Sequence, residues 1–164
     1  MRAGGDFLVR IDPLLPADLD RVLQIEVRSF SHPWTPEMFL TERERADKGE
    51  VFVARAADEG PPEVVGYLCL WLLGREVHIN NIAVDPTRRR RGVGARLVRF
   101  AMDWARRHGA IRLTLEVRAS NAVAQHLYRQ FGFRAVGKRF NYYERPREDA
   151  VIMTMEPIPN TQDA

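Results

Sequence analysis

One carboxylate, one phenol and one basic glycine-containing loop are the parts of this chain able to do chemistry. Glu116 sits inside the apolar run Leu113–Val117. In a strand, alternation puts Thr114 and Glu116 on one face and Leu113, Leu115 and Val117 on the other. An acid among apolar neighbours is costly unless it is paired or used. A strand residue facing solvent, or paired with Arg112 or Arg118, fits the same pattern, so the residues alone leave both readings open. Tyr128 lies between Leu127 and Phe131, which equally suits a core tyrosine. Cys69 is in an apolar segment and reads as a buried structural thiol rather than a nucleophile. The histidines at 32, 78, 108 and 126 show no metal-ligand spacing, so no metal is expected.

The loop is Ile82-Ala83-Val84-Asp85-Pro86-Thr87-Arg88-Arg89-Arg90-Arg91-Gly92-Val93-Gly94-Ala95. A strand ends, Asp85-Pro86 forces a turn, and a basic stretch enters Gly-x-Gly at a helix start. Free amides at a helix N-terminus, backed by the helix dipole, attract anions. Glycines let a phosphate approach the backbone, and arginines pair with further phosphates. The segment is neither a Walker A loop nor a dinucleotide fingerprint. A solvated basic turn or a nucleic-acid patch is the competing reading.

These groups need a scaffold, and the periodicity supplies one. A short strand is expected at Leu8–Ile11. An amphipathic helix follows Pro16, with Leu19, Val22, Leu23, Ile25 and Val27 inward. Thr35-Pro36 starts a second helix running to about Ala46. Val51–Ala56, Val64–Leu73 and Val77–Val84 read as three strands, the first two joined by a turn at Asp58–Pro62. A helix from about Val93 to His108 buries Leu97, Ala101, Trp104 and Ala105 and stops at Gly109. Ile111–Val117 is a strand, Ser120 caps a helix to about Phe131, and Arg134–Tyr142 with Ala150–Glu156 forms a hairpin. The order β-α-α-β-β-β-α-β-α-β-β describes an α/β domain around a mixed, mostly antiparallel sheet flanked by helices.

The chain has 164 residues, which suits a single domain over 1–164, with a core from about 8 to 156 and a loose tail over 157–164. One cysteine excludes a disulfide framework and suits a reducing compartment. No signal peptide or membrane span is expected, so the setting is cytoplasmic. The net charge of +3 is carried almost wholly by arginine, with lysine only at 48 and 138. That balance permits an anionic ligand without choosing one.

Several segments resemble one family. Arg89-x-x-Gly92-x-Gly94 matches the pyrophosphate loop of GNAT acetyltransferases. Leu115–Asn121 resembles the LEVRxSN segment of protein N-terminal acetyltransferases, and Leu127–Phe133 their LYxxxGF helix end. Asn141-Tyr142-Tyr143 with Glu148-Asp149-Ala150 and Met153 resembles their last hairpin, and Pro33-Trp34 with Phe39 the segment after the first helix. The combination is most similar to the bacterial ribosomal-protein-alanine N-acetyltransferases.

The resemblance implies the GNAT fold and acetyl-CoA as cosubstrate. It implies that the main chain of Ile82, Ala83 and Val84 runs along the pantetheine arm. Amides of Arg90, Arg91, Gly92, Val93, Gly94 and Ala95 would hold the pyrophosphate, and Asn121 would hydrogen-bond the cofactor. Arg88 reaches the ribose phosphate or is a solvated charge. Glu116 becomes the general base and Tyr128 the proton donor to the CoA sulfur. The acceptor becomes a protein N-terminus, the alanine of a small-subunit ribosomal protein, with Tyr142 and Tyr143 as walls for its backbone. No direct nucleic-acid or membrane partner is expected.

Magnitudes favour an α-amine. At pH 7, freeing an amine of pKa near 8 costs ~1.4 kcal/mol, whereas a lysine near 10.4 costs ~4–5 kcal/mol. The alternatives are a GNAT enzyme acting on a small amine or a lysine side chain, and a non-catalytic RNA- or CoA-binding module. Both Glu116 and Tyr128 argue against the module, as does the lack of aromatics among the arginines.

Overall fold

Parallel pairing of two strands far apart in sequence is what brings the chemistry-bearing residues of the second half together. The computed structural model describes residues 8–44, 49–57 and 60–160. The strands are β1 (Leu8–Pro13), β2 (Gly49–Ala57), β3 (Glu63–Leu73), β4 (Glu76–Val84), β5 (Arg112–Arg118), β6 (Arg134–Tyr143) and β7 (Glu148–Met155). The helices are α1 (Leu19–Ser29), α2 (Pro36–Glu44), α3 (Val93–Arg107) and α4 (Ala122–Phe131), with single 3-10 turns at Pro16–Asp18 and Pro86–Arg88. The seven strands form one sheet in the order β1-β2-β3-β4-β5-β7-β6, flanked by helices. β4 and β5 pair in parallel, whereas β1 with β2, β5 with β7 and β6 with β7 are antiparallel. The order of elements is the expected one. The ends of α2 and of the 58–62 turn fall partly at 45–48 and 58–59, outside the described residues.

The chain divides into two units, one of residues 1–69 with 81–97, the other of 70–80 with 98–164. In the first, Val22, Ile25, Phe39, Val53, Tyr67 and Cys69 are fully enclosed, and Leu19, Leu23, Phe30 and Trp34 pack against this cluster. α1 turns Val22, Ile25 and Glu26 inward, the spacing of one helical face. Val27, expected on that face, is exposed because it lies most of half a turn away from Ile25 and Glu26 takes the inward place. Thr35 caps α2 through Oγ1, which accepts from the Met38 amide at 3.3 Å. Gly66 is required as such: a Cβ there would meet the Ala83 carbonyl oxygen at 2.9 Å.

In the second unit Leu113, Leu115 and Val117 are buried while Thr114 and Glu116 are half-buried, so β5 shows the predicted alternation. Ala101, Met102, Trp104 and Ala105 of α3 are buried, and the helix ends at Gly109, whose φ of 75° is left-handed. α4 ends on Gly132 at φ 105°. Its N-cap is Asn121 rather than Ser120: the Asn121 side-chain oxygen accepts from the Ala124 amide at 3.1 Å. The cap moves because the Ser120 amide is held instead by Glu148 Oε1 at 2.5 Å, which keeps Ser120 in the preceding turn. Among the described residues of the tail, Asn160 Oδ1 accepts from Arg106 at 2.5 Å.

Candidate active site

In the first unit, the segment from β4 to α3 is shaped by Asp85. Its side chain is 0% exposed. Oδ1 accepts from the amide of Thr87 at 2.9 Å and from its hydroxyl at 2.8 Å, and the Arg21 guanidinium of α1 pairs with Oδ2. The Asp85 amide donates to Val65 at 2.8 Å, which ties the turn to β3. Burial works against the charge of Asp85, yet the Thr87 donors and Arg21 outweigh it and hold the carboxyl at about 2. Arg21 also donates to Val64 at 3.1 Å and pairs with Glu63 at 3.1 Å.

Beyond this knot the backbone turns twice into left-handed conformation, at Arg90 (φ 63°) and Gly92 (φ 80°). Left-handed residues alternating with ordinary ones form the concave amide nests that bind anions. α3 then begins, with the Arg96 amide donating to the Gly92 carbonyl at 3.1 Å. The amides of Val93, Gly94 and Ala95 therefore precede the helical ladder. Ala83 and Val93 are buried; Ile82, Val84, Gly94 and Ala95 are half-buried; Arg90, Arg91 and Gly92 are exposed. Arg88 pairs with Glu63 at 3.0 Å, so it is neither a simple solvated charge nor a free arm. Arg89 donates to the Val84 carbonyl at 3.3 Å.

In the second unit, Glu116 lines a cleft of about 620 Å³ with Trp71, His78, Thr114, Arg139 and Ile152 among its walls. The carboxylate is 11% exposed and both of its oxygens are engaged. His78 Nε2 lies 2.5 Å from Oε2, and Arg139 Nε 3.1 Å from Oε1. The imidazole hydrogen bond, helped by Arg139 and opposed by burial, holds the Glu116 carboxyl below its ordinary range. The acid is thus ionised at neutral pH. Its partners are not the Arg112 or Arg118 that the sequence offered. Arg112 pairs with Glu156 at 2.7 Å and with Glu76 at 3.3 Å, and Arg118 with Glu148 at 3.4 Å.

Tyr128 of α4 is buried, with its ring 5.6 Å from that of Phe133. Burial pushes its hydroxyl up to about 12. Tyr142 and Tyr143 stand edge to face at 5.0 Å, and the Arg118 guanidinium lies 4.3 Å from the centre of the Tyr143 ring. Burial raises both hydroxyls, and Glu116 raises each further by its charge. Tyr143 also feels Tyr128. Glu116, Tyr128 and the tyrosine pair therefore belong to one neighbourhood of the second unit. Asn121 caps α4 with its oxygen, which leaves the amide nitrogen as its remaining donor.

His78 and Arg139 were not legible as parts of this site. The only local signal was a histidine in the outward phase of β4; its partner depends on a parallel register set 38 residues away. Cys69 is fully buried and its thiol is pushed well up by burial and by the charges of Glu42 and Glu26, which makes it inert as a nucleophile. No group of three or more His, Cys, Asp or Glu among the described residues is arranged to hold a metal ion.

The model of the acetyltransferase (GNAT) family matches residues 19–133. A Salmonella typhimurium ribosomal protein bS18-alanine N-acetyltransferase is 35% identical over 149 residues, 88% of this chain and 95% of the relative. The N-alpha-acetyltransferase RimI of Mycobacterium tuberculosis is 38% identical over 151 residues, 88% of this chain and 90% of that protein. The crystal structure of the ribosomal-protein-S18-alanine N-acetyltransferase from Escherichia coli superposes with a TM-score of 0.81 at 31% identity, covering 96% of this chain and 99% of that one. With a basic glycine loop entering a helix and an ionised acid set in a strand beside tyrosines, the chain belongs to the GNAT acetyltransferase family.

Proposed function

We propose that this protein acetylates the N-terminal α-amine of a protein, with the alanine at the start of a small-subunit ribosomal protein as acceptor, by direct transfer from acetyl-CoA. The observation that carries the reading is Glu116, an ionised acid in a cleft with the exposed Tyr142 beside it. The acceptor is supported by what the bS18-alanine N-acetyltransferases are named for. Such an acceptor puts the reaction in the cytoplasm, and no described helix is long and apolar enough to cross a membrane. The family model runs through residues of both units, which supports one catalytic domain.

The residues of the first unit fit a CoA diphosphate: a nest at Arg90 and Gly92, then free amides at Val93, Gly94 and Ala95. The amides of Arg90 to Ala95 hold the diphosphate, and the main chain of Ile82, Ala83 and Val84 holds the pantetheine arm. Asn121 donates its remaining N–H to the cofactor. Acetyl-CoA supplies the activated acyl carbon.

A carboxylate held below its ordinary range is too weak a base to keep the proton of a resting ammonium. Glu116 therefore relays it to solvent; the amine so freed attacks the acyl carbon, and the second proton, shed as the C–N bond forms and the C–S bond breaks, follows the same route. Tyr128 stays a phenol throughout, since its hydroxyl sits at about 12. It stabilises the departing thiolate by a hydrogen bond rather than by surrendering its proton outright.

CoA release measured with three acceptors tests the reading: an alanine-first peptide, its N-terminally blocked copy with an internal lysine, and a polyamine. The first is expected to react about 10²-fold faster at neutral pH, from the difference in amine acidity alone. A blocked lysine peptide or polyamine that matches it would overturn the N-terminal reading while leaving the acetyltransferase intact.

A further inference from the structure

The two partners of Glu116 are unequal. His78 is 17% exposed and rises from β4, the strand parallel to β5. The register sets it opposite Thr114, so imidazole and carboxylate stand on one sheet face with short side chains. Arg139 is 54% exposed and belongs to β6, which lies beyond β7 from β5. Its long arm must cross β7 to reach Oε1, and such an exposed ion pair is held weakly.

We infer that His78 is the positioning residue of the base: its Nε2–H fixes Glu116 Oε2, leaving Oε1 for the acceptor amine, which takes the place of Arg139. This rests on Glu116 being the base. Because Glu116 is ionised, the proton in the 2.5 Å contact belongs to the imidazole. The proton lost by the amine goes to Oε1 and from there to solvent through the cleft; His78 keeps its own. A second fixed point matters because a carboxylate free to rotate about its terminal bond presents the accepting oxygen only part of the time. The Trp71 ring lies tilted, 6.5 Å from the imidazole, in the same cleft wall.

Two amide substitutions separate positioning from packing. His78→Gln places an N–H donor near where Nε2 stands, and His78→Asn places one near Nδ1, out of reach of Glu116. Both are polar and of similar bulk. With saturating acetyl-CoA and an alanine-first peptide, His78→Asn is expected to lower kcat 10-fold or more with CoA affinity within 2-fold of the parent. His78→Gln is expected to stay within about 3-fold of the parent kcat. Adding His78→Asn to Glu116→Gln is expected to cause no further loss. The assignment is overturned if His78→Asn retains kcat, if His78→Gln is as slow as His78→Asn, or if His78→Asn slows the Glu116→Gln enzyme as much as the parent. If Glu116→Gln alone matches the parent, it is the base reading that falls; if Glu116→Gln is slow and His78→Asn is not, only the role of His78 falls.

Discussion

The guanidinium of Arg21, on α1, closes over the buried carboxylate of Asp85, the residue that follows β4 and opens the glycine loop. A helix early in the chain thus secures the turn from which the glycine loop emerges. Asp85→Asn keeps the shape and removes the charge. It is expected to cost about 2 kcal/mol at pH 7, the scale of a hydrogen bond to a charged group. The sign with pH follows from a folded-state carboxyl lowered to about 2 against an ordinary 3.8. Its contribution is complete above pH 4 and is lost as pH falls through about 2. Urea unfolding of both forms at pH 7 and pH 3 should show the gap narrowing; an equal gap at both would rule the linkage out.

Gly92→Val tests the cradle. Gly92 sits at φ 80° with open space around its missing Cβ, so the obstacle is conformational rather than a clash. A β-branched residue there forces the loop out of its left-handed turn and disperses the amides. CoA affinity by calorimetry is expected to weaken by about 2 kcal/mol or more. Unchanged affinity would remove the loop from the cofactor site.

Glu116→Gln keeps size and removes basicity. Turnover at neutral pH is expected to drop by roughly 10²-fold. The deficit should shrink toward pH 9, where an α-amine of pKa near 8 is already free. A deficit constant from pH 6.5 to 9.5 would mean that Glu116 serves binding or structure instead.

Tyr128→Phe keeps the ring against Phe133 and removes the hydroxyl. Turnover is expected to decrease about 10-fold or more, the scale of one donor to developing charge, with CoA affinity unchanged. With the hydroxyl at about 12, the parent enzyme keeps its donor to well above pH 10. The ratio of parent to variant should therefore stay flat from pH 7 to pH 10. A ratio that falls toward one over that range would assign Tyr128 to proton delivery from a much more acidic phenol.

The elements were largely legible because their signals are local: period two in Leu113–Val117, period 3.6 in α3, glycine at 109 and 132. The loop Arg88–Ala95 was legible for the same reason, being contiguous. What failed was set by distant partners. Ser120 and Asn121 are equal candidates for a cap until Glu148, in the last strand, takes the Ser120 amide. Val27 looked inward because an acid such as Glu26 is normally placed outside. Glu26 instead spends its oxygens on the Trp34 amide, the Asn81 amide and the Tyr67 hydroxyl, a set no window of sequence contains. Glu116 could be recognised as an unusual strand acid, but not as the partner of His78 and Arg139, which come from the two strand systems on either side of it.

The outermost strand has a bearing on how the protein behaves in a crowded solution. β6 ends the sheet and is exposed over nearly its whole length. A regular edge of that kind is a template for the same edge of another molecule. Here the pairing of β6 is broken twice, between Ala135 and Gly137 and between Arg139 and Tyr143, and its length carries Arg134, Lys138 and Arg139. Irregular pitch and like charge together discourage edge-to-edge growth of the sheet into fibrils. The arm that meets Glu116 thus belongs to a row of cations along the exposed outer strand.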